Sequence, residues 1–111
     1  MKRSILRVVC ATTLLPLGLI PMFSAHADEV VTARVTLVEP SYMPGAVMFM
    51  IDKSLPSCPA GSWLNWNKGA DNNRAVYASL LSAMMTGKRV TLHINSGDTT
   101  CAGKHLHILK D

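Results

Sequence analysis

The chain has 111 residues, 49% of them hydrophobic, and a formal net charge of +4. This length is typical of one small domain. Lys2, Arg3 and Arg7 supply three of the eleven basic residues, and the others are scattered along the chain. Nucleic-acid binding requires a basic stripe on the folded domain, so we expect no nucleic-acid partner.

The N-terminal segment has the pattern of an export signal. Its basic residues precede an apolar run over residues 8–20, and Ala25 and Ala27 lie where signal peptidase requires small residues. The run is shorter than the ~20 residues of a membrane span and is flanked and interrupted by proline. We therefore expect residues 1–27 to be a cleaved signal peptide and residues 28–111 to form one small domain. That domain is expected to be periplasmic or secreted, and not embedded in a membrane.

Two cysteines remain after this cleavage, Cys58 and Cys101. An oxidising compartment permits a disulfide, and only one pairing exists. Closing a loop of this size contributes about 4 kcal/mol in the chain-entropy model. The alternative is a pair of buried, reduced thiols. A metal site on the cysteines is disfavoured because a C-x-x-C spacing is missing.

The first half of the domain has the pattern of three strands. Residues 29–39 alternate between apolar and polar side chains, which predicts a half-buried strand. Residues 46–51 are apolar on both faces. We expect the Phe49 face to lie in the core, so that Met48 and Met50 point outward. Their cover is either a neighbouring loop or helix end, or a partner protein or second copy. A short aromatic strand is predicted at residues 62–66.

The second half begins with the one predicted helix, at about residues 73–86, followed by two strands. Val76, Leu80 and Ala83 recur at helical spacing, and Gly87 is placed to end the helix. The candidates for its N-cap are Asp71, Asn72 and Asn73. Strands follow at residues 88–95 and 105–110, the second with Leu106 and Ile108 facing inward.

The resulting order is β-β-β-α-β-β in a mainly β (α+β) domain. Five short strands with one helix after the third are typical of the OB-fold, a small and partly open barrel. We expect such an OB-like barrel, with the helix covering one end. The alternative is an open sheet with the helix on one face.

Residues 75–92, from the predicted helix through Gly87 into the next strand, resemble a segment of small exported bacterial OB-fold proteins. They are similar to the same segment in the cell-binding B subunits of pertussis-like and subtilase-type AB5 toxins. Cys58, Cys101 and the tryptophans at 63 and 66 fit a wider group of short secreted bacterial proteins. The resemblance covers about the last half of the chain. It implies a non-catalytic module that recognises protein or glycan and that assembles into rings.

Three histidines form the first candidate site. His93 is expected to point outward from the fourth strand, and His105 and His107 from the fifth, so the three imidazoles can share one face. Neutral imidazole binds zinc and copper, which gives an alternative function as an envelope metal-binding protein. The other interpretation is three solvated histidines.

The two tryptophans form the second candidate site. Trp63 and Trp66 lie on opposite faces of a strand, so one is expected in the core and the other as a platform for a sugar ring or a partner side chain. Core or interface packing of both is the alternative. Met48 and Met50 are further candidates for a ligand or partner surface. No G-x-S-x-G elbow occurs, and the cysteines are expected in a bridge, so we expect neither an enzyme nor a cofactor.

Overall fold

The computed structural model describes residues 27–111 of the chain. The predicted signal peptide therefore lies outside the described residues, except for Ala27. The described part contains five strands and one helix in the predicted order. They are β1 (Glu29–Glu39), β2 (Val47–Ile51), β3 (Leu64–Trp66), α1 (Ala70–Thr86), β4 (Arg89–Ile94) and β5 (Gly103–Ile108).

The five strands form one sheet in the order β3-β2-β1-β4-β5, with antiparallel pairing throughout. The long strand β1 pairs with β4 along its first half and with β2 along its second half. The register shifts between Val35 and Leu37, where the strand passes from one partner to the other. A single parallel bridge, Asn65 to Ala102, joins the two ends of the sheet. One isolated bridge does not make a ladder between β3 and β5, so the sheet is not closed and the expected barrel is not confirmed. The structure shows a β-rich α+β domain with one helix.

The core lies on the side of the sheet that the apolar alternation predicted. Val47, Phe49 and Ile51 of β2 are buried, whereas Met48 and Met50 between them are half-buried. The inward residues of β4 are fully buried, and Leu80 and Ala83 of the helix pack against this core. Removal of this apolar surface from water is the main contribution to the stability of the fold.

The helix begins earlier than predicted. It starts at Ala70, its N-cap is Gly69, and Gly69 makes no side-chain cap. The prediction of Asp71, Asn72 or Asn73 as the cap is therefore wrong. The end is as predicted, because Gly87 adopts a left-handed conformation (φ 71°) and its N–H donates to the carbonyl of Ala83.

Tertiary hydrogen bonds explain the early start. The side-chain oxygen of Asn72 accepts from Trp66 Nε1 at 2.7 Å. Asn73 is completely buried, and its amide oxygen accepts from the backbone N–H of Lys68 at 2.9 Å. Its amide nitrogen donates to the carbonyls of Pro44 and Gly45 at 2.8 and 3.1 Å. These side chains are engaged with other segments, so they lie inside the first turns rather than capping them.

Strands β3 and β5 also differ from the prediction. Strand β3 has three residues, and β5 begins at Gly103 and ends at Ile108. Leu106 is half-buried, but Ile108 is 44% exposed and does not face the core as predicted. The reason is topological, since β5 is the last strand of the sheet and extends beyond the short β3.

Cys58 and Cys101 form the predicted disulfide, and both are buried. It joins the loop after β2 to the loop before β5. Glu29 connects the same two regions: its carboxylate accepts from Ser57 N at 2.9 Å, from Ser57 Oγ at 2.6 Å and from Gly97 N at 2.8 Å. Within residues 27–111, no helix has the length and apolar character needed to cross a membrane.

Truncating the helix at its buried face tests the packing of α1. Leu80 is fully buried, so Leu80→Ala is expected to lower the free energy of unfolding by about 2–5 kcal/mol. Met85 lies on the same helix with 76% exposure, so Met85→Ala is expected to change it by less than about 0.5 kcal/mol. Urea denaturation of both variants measures the difference. Equal midpoints would show that the buried face of α1 is assigned wrongly.

The hydrogen bonds of Glu29 predict a specific loss of stability in acid. Hydrogen bonds from the Gly97 backbone and then from the Ser57 hydroxyl hold the pKa of Glu29 below its ordinary value of 4.5. A lowered pKa in the folded state stabilises the protein above about pH 4.5, and this contribution disappears as the pH falls.

Glu29→Gln is therefore expected to flatten the decline in stability below pH 4.5, measured by urea denaturation across a pH series. Glu39→Gln makes the same chemical change on the same strand and serves as the control. An acid decline that is equally steep in wild type and Glu29→Gln would refute this assignment.

Candidate functional site

The outer face of the sheet carries a cleft with two exposed aromatic rings. Glu39, Tyr42, Met48 and Trp63 line it, and its volume is about 230 Å³. Tyr42 is 64% exposed and Trp63 is 47% exposed. We call these four residues the aromatic cleft.

Three neighbouring segments position the aromatic cleft. Glu39 and Met48 are register partners on β1 and β2, and Met48 is paired on its other side with Asn65 of β3. Trp63 directly precedes β3. Tyr42 lies in the turn that connects β1 to β2, where its carbonyl accepts from the N–H groups of Gly45 and Ala46 at 2.8 and 3.2 Å. The sheet and the turn thus hold all four residues on a rigid scaffold.

The structure separates the predicted ligand-surface residues into two groups. Trp63 and Met48 line the aromatic cleft together. Trp66 is 5% exposed in the core and Trp63 is 47% exposed, so the two side chains differ in burial, and the role of Trp63 as a platform stays a prediction. Met50 is half-buried on the outer face of β2 but does not line the cleft.

The chemistry of the aromatic cleft suits a small, partly apolar ligand. Aromatic rings present flat apolar faces, and Tyr42 adds a hydroxyl that donates and accepts. Glu39 adds a carboxylate, whose oxygens are hydrogen-bond acceptors for a ligand. A volume of 230 Å³ is below the ~300–1,000 Å³ typical of sites for drug-sized ligands, so the cleft fits one ring or one side chain.

A second and larger groove of about 570 Å³ lies between α1 and β5. We call it the edge groove. One wall is the strand β5 itself, and the other is formed by α1 together with the end of β3. It is lined by Trp66, Lys68, Asn72, Val76, Ser79, Lys104, His105, Leu106, His107 and Ile108.

The three predicted histidines do share one region of β4 and β5. The ring centroids of His93 and His105 are 5.5 Å apart, and those of His93 and His107 are 5.3 Å apart, both edge-on. His93 Nδ1 lies 3.5 Å from the carboxylate of Asp28. The hydrogen bond from Lys104 to Asp28, at 2.9 Å, is the main cause that lowers the pKa of that carboxyl.

Metal binding by these histidines stays a prediction. In the part of the chain that the structure describes, no three or more histidine, cysteine, aspartate or glutamate side chains lie in an arrangement that could hold a metal ion. The imidazole rings contact one another edge to face. Zinc or copper binding therefore has no support from the described geometry beyond the proximity of the rings.

The sequence did not point to Glu39, Tyr42 or Lys68. Each gains its position from tertiary structure: Glu39 through the β1–β2 register, Tyr42 through the turn, and Lys68 through the connection from β3 to α1. One signal was available in the sequence, because Tyr42 lies between Pro40 and Pro44 in a predicted turn. A large aromatic ring in a solvent-exposed turn rarely adds stability unless it contacts another group.

Comparison with known protein families, with curated proteins and with solved structures finds no match. Function is therefore inferred from the two surfaces described above.

Proposed function

We propose that this protein is an exported, non-catalytic recognition module that binds its ligand in the aromatic cleft. The observation that carries the proposal is that Tyr42 and Trp63, two large and exposed aromatic side chains, line one cleft together with Glu39. Exposed aromatic residues held by a rigid scaffold are typical of binding sites.

A sugar ring is the ligand class that this chemistry favours. The C–H faces of a pyranose pack on aromatic rings, and its hydroxyls donate to a carboxylate or a tyrosine oxygen. The volume of the aromatic cleft admits a single ring. A side chain of a protein partner is the competing ligand, because Met48 adds an adaptable apolar surface.

Export and an OB-like architecture belong to the same proposal. The Cys58–Cys101 disulfide supports an oxidising compartment, periplasmic or extracellular, for the domain. The strand order and the parallel bridge between Asn65 and Ala102 support a partly open OB-like barrel. Such a barrel would fit the resemblance to B subunits of AB5 toxins.

The environment of the titratable groups supports a non-catalytic role. The carboxylates whose pKa values are lowered, Asp28, Glu29 and Asp98, accept hydrogen bonds within the fold. For Asp98 the Thr100 hydroxyl is the main cause. Both Cys58 and Cys101 are in the disulfide, so neither supplies a nucleophilic thiol.

The aromatic cleft can be tested with an array of immobilised oligosaccharides. We expect the wild-type protein to be retained by a subset of the glycans, and Trp63→Ala to weaken that binding at least tenfold, about 1.4 kcal/mol. The loss follows from removing one stacking face. Met85→Ala removes an equally apolar and exposed side chain on α1 and is expected to bind as wild type.

Two results would contradict the proposal. Retention of Trp63→Ala equal to that of wild type would remove the aromatic cleft from recognition. A folded wild type that binds no glycan, but binds a protein through the same Trp63-dependent surface, would overturn the sugar assignment and favour the protein ligand.

A further inference from the structure

Within residues 27–111, the outer edge of β5 has backbone groups that pair with no strand. The N–H of Leu109 donates to the carbonyl of Arg89 at 2.9 Å. Two residues earlier on β5, His107 is the register partner of Thr91 on β4. Hydrogen-bonded pairs alternate along an antiparallel ladder, so the odd-numbered positions of β5 bond to β4. The N–H and C=O groups of Leu106 and Ile108 therefore point away from β4.

The edge is open because β3 is short. Strand β3 ends at Trp66, and the chain then turns into α1. Beyond the bridge between Asn65 and Ala102, no described strand pairs with the outer side of β5. An edge of this kind is a template for another extended chain. Ile108, which is 44% exposed, marks the same region by its side chain.

The edge groove has the size of a short added strand. Strands lie about 4.8 Å apart, rise about 3.4 Å per residue, and occupy layers about 10 Å thick, which gives roughly 160 Å³ per residue. The groove volume of about 570 Å³ therefore accommodates three to four extended residues. The segment of β5 after the bridge has six residues, so the groove covers part of its length.

The lining of the edge groove selects the charge of its occupant. Lys68 contributes a basic side chain, and no aspartate or glutamate lines the groove. Lys104 also lines it, but its ammonium donates to Asp28 at 2.9 Å, and the rings of His105 and His107 lie against the ring of His93. The Lys68 ammonium donates to the Gly103 carbonyl at 2.8 Å and lies 4.6 Å from the centroid of the Trp66 ring, which fixes it at one end of the groove. Val76 and Leu106 supply apolar lining to the groove.

We propose that the free edge of β5 binds an extended acidic segment of a partner protein by strand addition. Backbone hydrogen bonds to Leu106 and Ile108 provide the pairing. An acidic side chain of the segment faces Lys68, and its alternate apolar side chains pack beside Val76 and Ile108. The edge groove shares no lining residue with the aromatic cleft, so this partner and the ligand of the cleft bind separately.

The probe for this proposal is a hexapeptide, acetyl-Glu-Val-Asp-Val-Glu-Val-amide, titrated into the isotopically labelled protein. The full chain is expressed with its own N-terminal segment, so that any processing takes place. We expect saturable amide shifts in NMR spectra over residues 104–108. A peptide with alternate backbone nitrogens methylated cannot pair as a strand, and we expect its binding to be at least tenfold weaker.

Two variants with matched controls test the edge and its charge. Ile108→Pro removes an N–H that points away from β4 and is expected to weaken binding at least tenfold, whereas Ile108→Ala keeps that N–H and is expected to stay within threefold. Lys68→Glu is expected to weaken binding at least fivefold. Lys53→Glu makes the same change in charge at an exposed position outside the groove and is expected to have no effect.

The proposal is overturned by any of three results. The first is an absence of shifts along β5 at millimolar peptide. The second is equal binding of the acidic peptide and its counterpart with lysine in place of each acid. The third is concentration-dependent self-association that Ile108→Pro abolishes, because the occupant of the edge would then be a second copy of this chain.

Discussion

The disulfide between Cys58 and Cys101 links the loops that lead into β3 and β5, the two end strands of the sheet. Cys58 precedes β3 and Cys101 precedes β5, so the crosslink holds the beginnings of these two strands together. Asn65 completes the junction: its backbone N–H donates to the Cys101 carbonyl at 3.0 Å, and its side-chain amide donates to the Thr100 carbonyl at 2.9 Å. The chain-entropy model assigns such a crosslink about 4 kcal/mol. That is a large share of the stability of a small domain.

Both candidate surfaces depend on this junction. On one side of it, the loop that contains Cys58 leads into Trp63, which directly precedes β3 and lines the aromatic cleft with Met48 and Tyr42. On the other side, β3 ends after three residues, and the strand edges separate. Among the described residues, this separation leaves the outer edge of β5 without a strand partner and opens the groove toward α1. A longer β3 would extend the pairing and close the edge groove, whereas the aromatic cleft would be retained.

The helix reinforces the same geometry from the opposite end of β3. Asn73 is buried and connects the turn before β2 with the segment that leads into α1. Its amide makes three hydrogen bonds, so a polar group without exposure to water is fully paired. Because the turn before β2 also carries Tyr42, this network helps to hold the aromatic cleft in place.

The elements that the sequence predicted well are those set by local periodicity. The alternation in β2 and β4 and the stripe that includes Leu80 depend only on which side chains face the core. The start of α1 was placed too late because Asn72 and Asn73 look like caps, yet the side chain of Asn72 accepts from Trp66 and that of Asn73 donates to Pro44. Ile108 was assigned to the core because its exposure depends on the position of β5 in the sheet, which alternation does not reveal.

The candidate sites were also predicted only where local sequence was sufficient, and missed where tertiary pairing decides. Trp63 and Met48 were identified by residue type, but their association with Glu39 and Tyr42 depends on the β1–β2 register and on the turn. The edge groove was not predicted, because an open edge results from the unequal lengths of β3 and β5. Strand length depends on tertiary pairing, and the sequence pattern at residues 62–66 extends beyond the three residues that pair.

Site-resolved amide hydrogen exchange of the wild-type protein tests most directly whether the disulfide-linked sheet leaves β5 open. The account predicts alternation along β5: slow exchange at His105 and His107, whose N–H groups point to β4, and fast exchange at Leu106 and Ile108. Uniformly slow exchange across these four positions would contradict it, since the outer edge of β5 would then be paired.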